Sequence, residues 1–443
     1  MYSSMTALRP RRGAELLAPE RARERSIRRR VGITWGLLIL NGLTYYGSLA
    51  HIPTAAGRGV QQGALQVALL MALTVNRRVI VRPNVFLCLA SLLVFGAVVS
   101  SLPAIHLGSF YRVFRLAEFV AVLWLLTPWW GRRDLLLVRC HLASLYVVLG
   151  TVVLGLLVAP GRAIPAGNVG TNPAGTDPTA GRLTGVLWFI APTQVAHYAA
   201  VALGMVVILW LCGQTGGRSA MIAAIAAAAI LILTHTRTAL VGLVVGILVA
   251  GLSLITAEAR VRKFFAAAAA VLAIAIIAFS SAITTWLTRG EAAGQLLSFT
   301  GRTKFWGPLL AFPRDKFQEI FGFGLSNSSF NGLSIDNNWL SSYQQQGVFG
   351  AVVCAAFLFF LLAAAYFQQS RLRRALALFL IMFCLVSSFT EDGFTDASIY
   401  LLDLTLAASL LVPSAADRGR TLNDYSKLLP LSGQVEMLLE NGY

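Results

Sequence analysis

Charge is scarce in this chain: Asp, Glu, Lys and Arg make up only 12% of its 443 residues, against about 25% in an ordinary soluble domain. With 57% of residues apolar, a soluble globular domain is excluded and a membrane protein is expected. Paired cysteine is lacking too. The five cysteines, Cys88, Cys140, Cys212, Cys354 and Cys384, lie inside or at the edge of apolar runs with no C-x-x-C spacing, so neither a disulfide framework nor a zinc site is indicated. No H-E-x-x-H or other paired-ligand spacing occurs, so no metal and no cofactor are expected. Lysine is rare, since 32 of the 36 basic residues are arginine, and acidic residues number 19, leaving a net charge of +17. Such a balance suits nucleic acid, but here the basic residues fall in short tracts between apolar runs, which is membrane patterning and excludes a nucleic-acid domain.

What is present is a succession of apolar runs. A span needs about 20 mostly apolar residues. Twelve candidates appear, at 31–50, 60–75, 84–102, 110–128, 135–158, 187–212, 219–233, 239–256, 264–283, 347–367, 375–390 and 399–412. The segment from Arg9 to Arg30 carries nine arginines and hands over directly to Val31, which reads as an uncleaved first span with its basic flank inside. With that orientation the cytoplasmic segments hold 24 Lys and Arg, the outer segments hold nine, and Arg112, Arg115 and Arg139 sit within spans. Both ends are therefore expected in the cytoplasm. The domain reading is a basic cytoplasmic segment over 1–30, a transmembrane domain over 31–412 with a large outer loop at 284–346, and a cytoplasmic tail over 413–443. A loop of that length without low complexity is usually functional.

Polar islands between the runs carry the candidate chemistry. Thr234-His235-Thr236-Arg237-Thr238 breaks spans seven and eight at the outer face. Arg237 there either offers a planar fork of donors to a phosphate or snorkels to fix span depth. In the large loop, Gly301-Arg302-Thr303-Lys304-Phe305-Trp306 either binds an anionic head group or anchors an interfacial helix. Further on, Gly322-Phe323-Gly324-Leu325 precedes Asp336-Asn337-Asn338-Trp339-Leu340 and then Gly347-Val348-Phe349-Gly350. Asp336 is either a base for a sugar hydroxyl or the N-cap of the next helix. Arg112, Arg115 and Glu118 recur at spacing three and share a helix face, as an internal ion pair or as a phosphate or sugar contact. His197 reads as a hydrogen-bonded core histidine, and His235, beside Arg237, as a substitute base. Glu391, Asp392 and Asp396 sit on the last outer turn, as an acceptor site, as counter-ions or as a solvated face.

Taken together, "THTRTAL" on a span break, "GRTKFW" in a long outer loop, "GFGL" after it and "DNNWLSSYQQQGVFG" leading into the next span resemble the O-antigen ligase and polymerase superfamily, membrane glycosyltransferases of the Wzy and WaaL type. The stretch "GRLTGVLWFIAPTQVAHYAA" is similar to another feature of that family. The resemblance covers roughly residues 180–370. It implies an all-α polytopic membrane protein, GT-C-like, with about 12 transmembrane helices and the large extracytoplasmic loop between helices nine and ten. It also implies an inverting transfer of glycan from a polyprenyl (undecaprenyl) diphosphate-linked oligosaccharide donor to a glycan acceptor at the outer face of the cytoplasmic membrane, with no metal and no covalent intermediate. The family's two diphosphate-holding arginines carry over to Arg237 and Arg302, and its base position to Asp336. Ligases of the family carry histidine there, so Asp336-Asn337 favours a polymerase over a ligase. Arg182, His235, Lys304, Asn337, Trp339, Arg112 and Arg115 are the expected further donor and sugar contacts. The alternative is a transporter or flippase of lipid-linked glycans, but no internal repeat appears, and transporters of that kind are commonly built from repeats.

Overall fold

The structure, a computed structural model, describes residues 10–43, 53–103, 107–166, 181–255, 259–288, 303–325, 329–330 and 333–413. Among these residues the regular structure is helical apart from an isolated antiparallel bridge between Gly185 and Ile190 and one hairpin, in which β1 (Ser329–Phe330) pairs antiparallel with β2 (Leu333–Ser334). The helices are α1 (Pro10–Asn41), α2 (Thr54–Val75), α3 (Val85–Ser101), α4 (Leu107–Leu126), α5 (Leu136–Val158), α6 (Pro160–Ala163), α7 (Pro192–Leu211), α8 (Gly217–Leu233), α9 (Arg237–Leu252) and α10 (Ala259–Thr288). After them come α11 (Thr303–Leu310), α12 (Lys316–Phe321), α13 (Asn338–Phe367), α14 (Arg371–Ser387) and α15 (Ile399–Leu411).

Among the described residues each of the twelve apolar stretches overlaps a helix, and α6, α11 and α12 are short additions between them. Several helices start earlier than hydropathy alone indicates, α1 and α13 by the most. α1 takes in much of the basic segment, because Arg, Glu, Ala and Leu are strong helix formers and pairs such as Arg28 with Glu24, one turn apart at 2.8 Å, stitch its polar turns. α13 begins nine residues before its apolar run, with a polar first part, Asn338 to Gln346, inside the helix.

Among the described residues four helices are long and apolar enough to cross a membrane: Leu136–Val158, Pro192–Leu211, Ala259–Ser281 within α10, and Asn338–Phe367. Four more, α3, α8, α9 and α15, are apolar but shorter. Large apolar side chains point outward, with Leu157, Ile277 and Phe359 at least three-quarters exposed. A surface of that kind is at home against lipid rather than water. The chain is an all-α protein with helices suited to a membrane.

Packing is close where small residues face rings. α14 lies along α9 and α15, α13 along α3, α1 along α2 and α7 along α8. Phe379 of α14 is wedged against Gly204 of α7 and Gly246 of α9, and a Cβ at Gly246 would stand 2.7 Å from the Phe379 ring and 3.0 Å from its carbonyl oxygen. Small residues let helix backbones approach in this way. Gly246→Ala is therefore expected to cost about 1–3 kcal/mol through overpacking, read as a lower unfolding temperature in detergent; an unchanged midpoint would mean that the interface yields. At Gly347, φ is +62° and α13 kinks, and a side chain there would collide with the backbone of Glu319 and Ile320 at the end of α12. Only glycine serves both needs.

The two ends of the bundle are joined differently. At one end, Arg132 and Arg28 share Asp134 at 3.2 Å, Arg132 reaches Glu24 at 3.0 Å, and Arg374 donates to the Ser253 carbonyl at 3.0 Å. The opposite end collects the α8–α9 break, the starts of α4 and α13, and the α14–α15 turn. Between them, buried in the bundle, the Trp35 indole donates to His141 Nδ1 at 3.1 Å, and the Asp403 carboxylate meets His141 at 3.1 Å and His197 at 2.6 Å. His197 is thus the hydrogen-bonded core histidine that its position on an apolar helix suggests. All five cysteines are free thiols.

Candidate functional site

The site is built around the first turn of α13. Asn337, 5% exposed, is the N-cap: its side-chain oxygen accepts from the backbone N–H of Trp339 at 3.0 Å and of Leu340 at 3.1 Å. The capping alternative for Asp336 is thereby corrected, since Asn fills that role as well as Asp does and here the residue after Asp336 has the extended backbone of a cap. Asp336 stands half-buried just ahead of the helix. Asn337→Ala is expected to cost about 0.5–2 kcal/mol of stability, measured by thermal unfolding; no loss would show that the turn is held from elsewhere.

The same turn clasps the α14–α15 segment. Asn338, 1% exposed, accepts through its side-chain oxygen from the N–H groups of Gly393 at 3.3 Å and Phe394 at 2.9 Å, while its own N–H donates to the Ser388 carbonyl at 2.8 Å. The Trp339 indole donates to Ser388 Oγ at 3.1 Å and the Asn337 amide to the Phe389 carbonyl at 3.2 Å. Asn337 and Trp339, expected to read sugar, thus commit these polar atoms to the protein. They shape the site, and the Trp339 ring is half-buried beside Phe389, with centroids 6.4 Å apart.

Arg112 and Arg115 of α4 both grip Asp396. Arg112 donates to Asp396 Oδ2 from Nη2 at 2.8 Å and Nε at 3.2 Å, and Arg115 donates to Oδ1 at 3.0 Å. Arg112 also donates to the Leu325 carbonyl at 2.6 Å. Their expected pairing with Glu118 is corrected: Glu118 receives the amide of Gln62 instead. The reason is geometric, because an i, i+3 pair on a helix surface contributes only about 0.2–0.5 kcal/mol, whereas Asp396 meets both guanidinium groups head-on. Burial raises the Asp396 carboxyl, but Arg115 and Arg112 outweigh it and hold the group well below the usual carboxylate range. Asp392, four residues earlier, behaves oppositely. Burial pushes it up to about 6, with Arg112 opposing and the neighbouring charges of Asp336 and Asp396 adding to the rise.

The α8–α9 break abuts this cluster. His235 adopts a left-handed backbone with φ +49°, a conformation to which His is better suited than most residues, and the chain reverses there. Arg237 opens α9 half-buried, and the next residue, Thr238, shares a 2.9 Å hydroxyl contact with Thr390 in the α14–α15 turn. Arg182 braces the break by donating to the Thr234 carbonyl at 3.0 Å and to Thr236 Oγ1 at 3.1 Å. The His235 ring stacks on Trp286 with centroids 5.7 Å apart, which turns it toward α10. Lys304 falls on the short helix α11, and Arg302 lies outside the described residues.

The structure therefore brings Arg112, Arg115, Arg182, Arg237, Asp336, Asn337 and Trp339 to one end of the bundle. No family model matches this chain, and no curated protein matches it. The reading of the site therefore rests on its own chemistry. Asp396 is the anion between the two α4 arginines, which is the counter-ion alternative for the last outer turn. Sequence reasoning left Ser341 and Gln345 unassigned, and with Asn338 they form the polar wall that meets Asp392. The signal for the wall was the run "NNWLSSYQQQG", which is too polar for a span and reads as loop.

Proposed function

We propose that this protein is an inverting membrane glycosyltransferase of the O-antigen polymerase and ligase type, acting on polyprenyl-diphosphate-linked oligosaccharide, with polymerase favoured over ligase. The observation that carries the reading is the meeting of the α8–α9 break with the α13 start: Thr238 and Thr390 join Arg237's helix to the turn that Asn338 holds beside Asp336. Guanidinium and carboxylate groups from separate parts of the chain then share one end of an apolar bundle. In this reading all twelve apolar helices cross the cytoplasmic membrane, the arginine-rich end that carries Arg28, Arg132 and Arg374 faces the cytoplasm, and the site faces outward, under the loop over 284–346.

The chemistry needs an anion clamp and a base. A hydroxyl oxygen of the acceptor glycan attacks the anomeric carbon of the donor, the bond from that carbon to the diphosphate oxygen breaks, and the electron pair leaves on the diphosphate. Fixed guanidinium donors in a low-dielectric setting stabilise that developing charge better than water does. Arg237 is the clamp residue at the break, with Arg302 as its partner by the resemblance, and Arg182 sets the shape of the break. A carboxylate beside the start of α13 receives the hydroxyl proton, the role the resemblance gives to Asp336, and Lys304 and Trp339 contribute to donor and sugar contact.

The test is incubation of the purified full-length protein with a synthetic polyprenyl-diphosphate oligosaccharide, alone and with a glycan acceptor. Release of polyprenyl diphosphate with growth of the glycan is the expected result, and growth on the lipid-linked unit itself identifies a polymerase. Movement of the intact donor across a vesicle membrane with no release would make the protein a transporter and end the transferase reading.

A further inference from the structure

The α14–α15 turn places a second carboxylate beside Asp336. Asn338 binds the N–H groups of Gly393 and Phe394, which lays Asp392 against the first turn of α13, directly after Asp336. Ser341, 1% exposed and one turn further on, donates its hydroxyl to Asp392 Oδ2 at 3.4 Å, and Gln345, also 1% exposed, donates its amide N–H to Ser341 Oγ at 2.8 Å. The string of donors runs from the helix interior to the carboxylate and fixes its orientation. An ionised carboxylate offers about four acceptor positions, and Ser341 takes one of them.

A second observation points to a ligand beside this string of donors. The side-chain oxygen of Gln345 is buried and has no hydrogen-bond partner among the described residues. Buried polar atoms without partners are uncommon and call for a cause. An acceptor oxygen in that position is suited to a hydroxyl or amide N–H brought in by a ligand, as a sugar ring carries.

We propose that Asp392 is the proton-accepting carboxylate of this site, with Asp336 as its neighbour on the approach and a hydroxyl-bearing sugar as the group it deprotonates. The proposal rests on the glycosyl-transfer reading. In the step, the acceptor oxygen bonds to the anomeric carbon, the diphosphate leaves with the electron pair of the broken carbon–oxygen bond, and the hydroxyl proton passes to Asp392. Three carboxylates in one cluster then divide the work through their surroundings. Asp396, between Arg112 and Arg115, is the structural anion and a poor base. Asp392 faces Arg112 from α4, Asp336 from ahead of α13, Tyr400 from α15 and Asp396 on its own turn. Burial, offset and supplemented by that mixture, puts its titration at about 6, close to the operating pH at which a general base works best.

The experiment compares wild type with Asp392→Asn, Asp392→Glu and Asp336→Asn as full-length protein in lipid nanodiscs. It measures transfer from a synthetic polyprenyl-diphosphate oligosaccharide to a glycan acceptor across mildly acid to mildly alkaline pH, with unfolding temperature and the apparent KM for the donor measured in parallel. A base must be unprotonated, so the wild-type rate should fall as pH drops through about 6. Asp392→Asn should lose about 10²–10⁴-fold in kcat, lose that acid limb, and keep the donor KM and the unfolding temperature, while Asp392→Glu recovers part of the rate. Wild-type rate and limb in Asp392→Asn would overturn the proposal and leave the transfer reading standing. A loss in Asp392→Asn that tracks a lowered unfolding temperature, with no recovery in Asp392→Glu, would overturn it in favour of a structural role. An Asp336→Asn variant that alone removes the acid limb would return the base to Asp336. A folded wild type that turns over no donor would overturn the transfer reading and the base with it.

Discussion

Asp396→Ala is expected to destabilise the protein by about 3–5 kcal/mol, the loss that follows when one partner of a buried ion pair is removed and the other is stranded. Two partners would be stranded here. Arg112, Arg115 and Asp396 retain side-chain exposures of 22%, 14% and 17%, so little water remains to solvate guanidinium groups left without their anion. The damage would spread, because Asp396 also accepts from the Ala397 N–H at 2.7 Å and so fixes the entry to α15, while Arg112 ties α4 to the Leu325 carbonyl. Asp396→Asn keeps the shape and an acceptor but removes the charge, and should fall between wild type and alanine. The pH dependence has a definite sign. The folded-state carboxyl is depressed, so its stabilisation is fully present above the unfolded carboxylate pKa of about 3.9 and is lost as pH falls through the lower folded value. Thermal unfolding in detergent at neutral pH, and at acid pH below the unfolded carboxylate value, reads both effects. An alanine variant within about 0.5 kcal/mol of wild type, the range of an unremarkable surface change, would show that the two arginines find water or each other's backbone instead.

Much of the helical framework is legible in the apolar runs, because a chain with 12% charge leaves few places where a span can break. The ends of the helices are less legible. Hydropathy starts the helix of Gly347 to Phe367 at its apolar run, but Asn337 caps it ten residues earlier, and a window that weighs only apolarity passes over a polar helical turn. Asp336 and Asn337 are both good caps in sequence, and only the backbone chooses between them. Helix-face reasoning puts Glu118 with Arg112 and Arg115, since it sees neighbours three residues apart. It cannot see Asp396, more than 280 residues along the chain. The Trp35, His141, Asp403 and His197 chain is hidden for the same reason: its members come from α1, α5, α15 and α7, and each alone looks like a polar residue lodged in an apolar helix. Within the site, Arg237 and Asp336 are visible as polar islands between spans. Asp392, Ser341 and Gln345 become a unit only when Asn338 folds the α14–α15 turn onto α13.

Arg237→Ala is expected to lower glycan transfer by about 10²–10³-fold, the usual loss when a preorganised donor to a developing negative charge is deleted, while leaving insertion into the membrane intact. The residue opens α9, where the N-terminal end of a helix already favours an anion, so guanidinium and helix terminus act on the same charge. Arg237→Lys tests the form of the contact as well as its sign. Lysine restores the positive charge but not the planar pair of donors that suits a phosphate, so it should recover part of the activity and less than arginine gives. Arg182→Ala makes the contrast. Its guanidinium is spent on the Thr234 carbonyl and the Thr236 hydroxyl, so its loss should loosen the break, lowering both the unfolding temperature and the rate together. Donor turnover at the wild-type rate in Arg237→Ala would remove the diphosphate clamp from the break. A fall in stability matching that of Arg182→Ala would reduce Arg237 to a strut, and the anion would then have to be held from the outer loop alone.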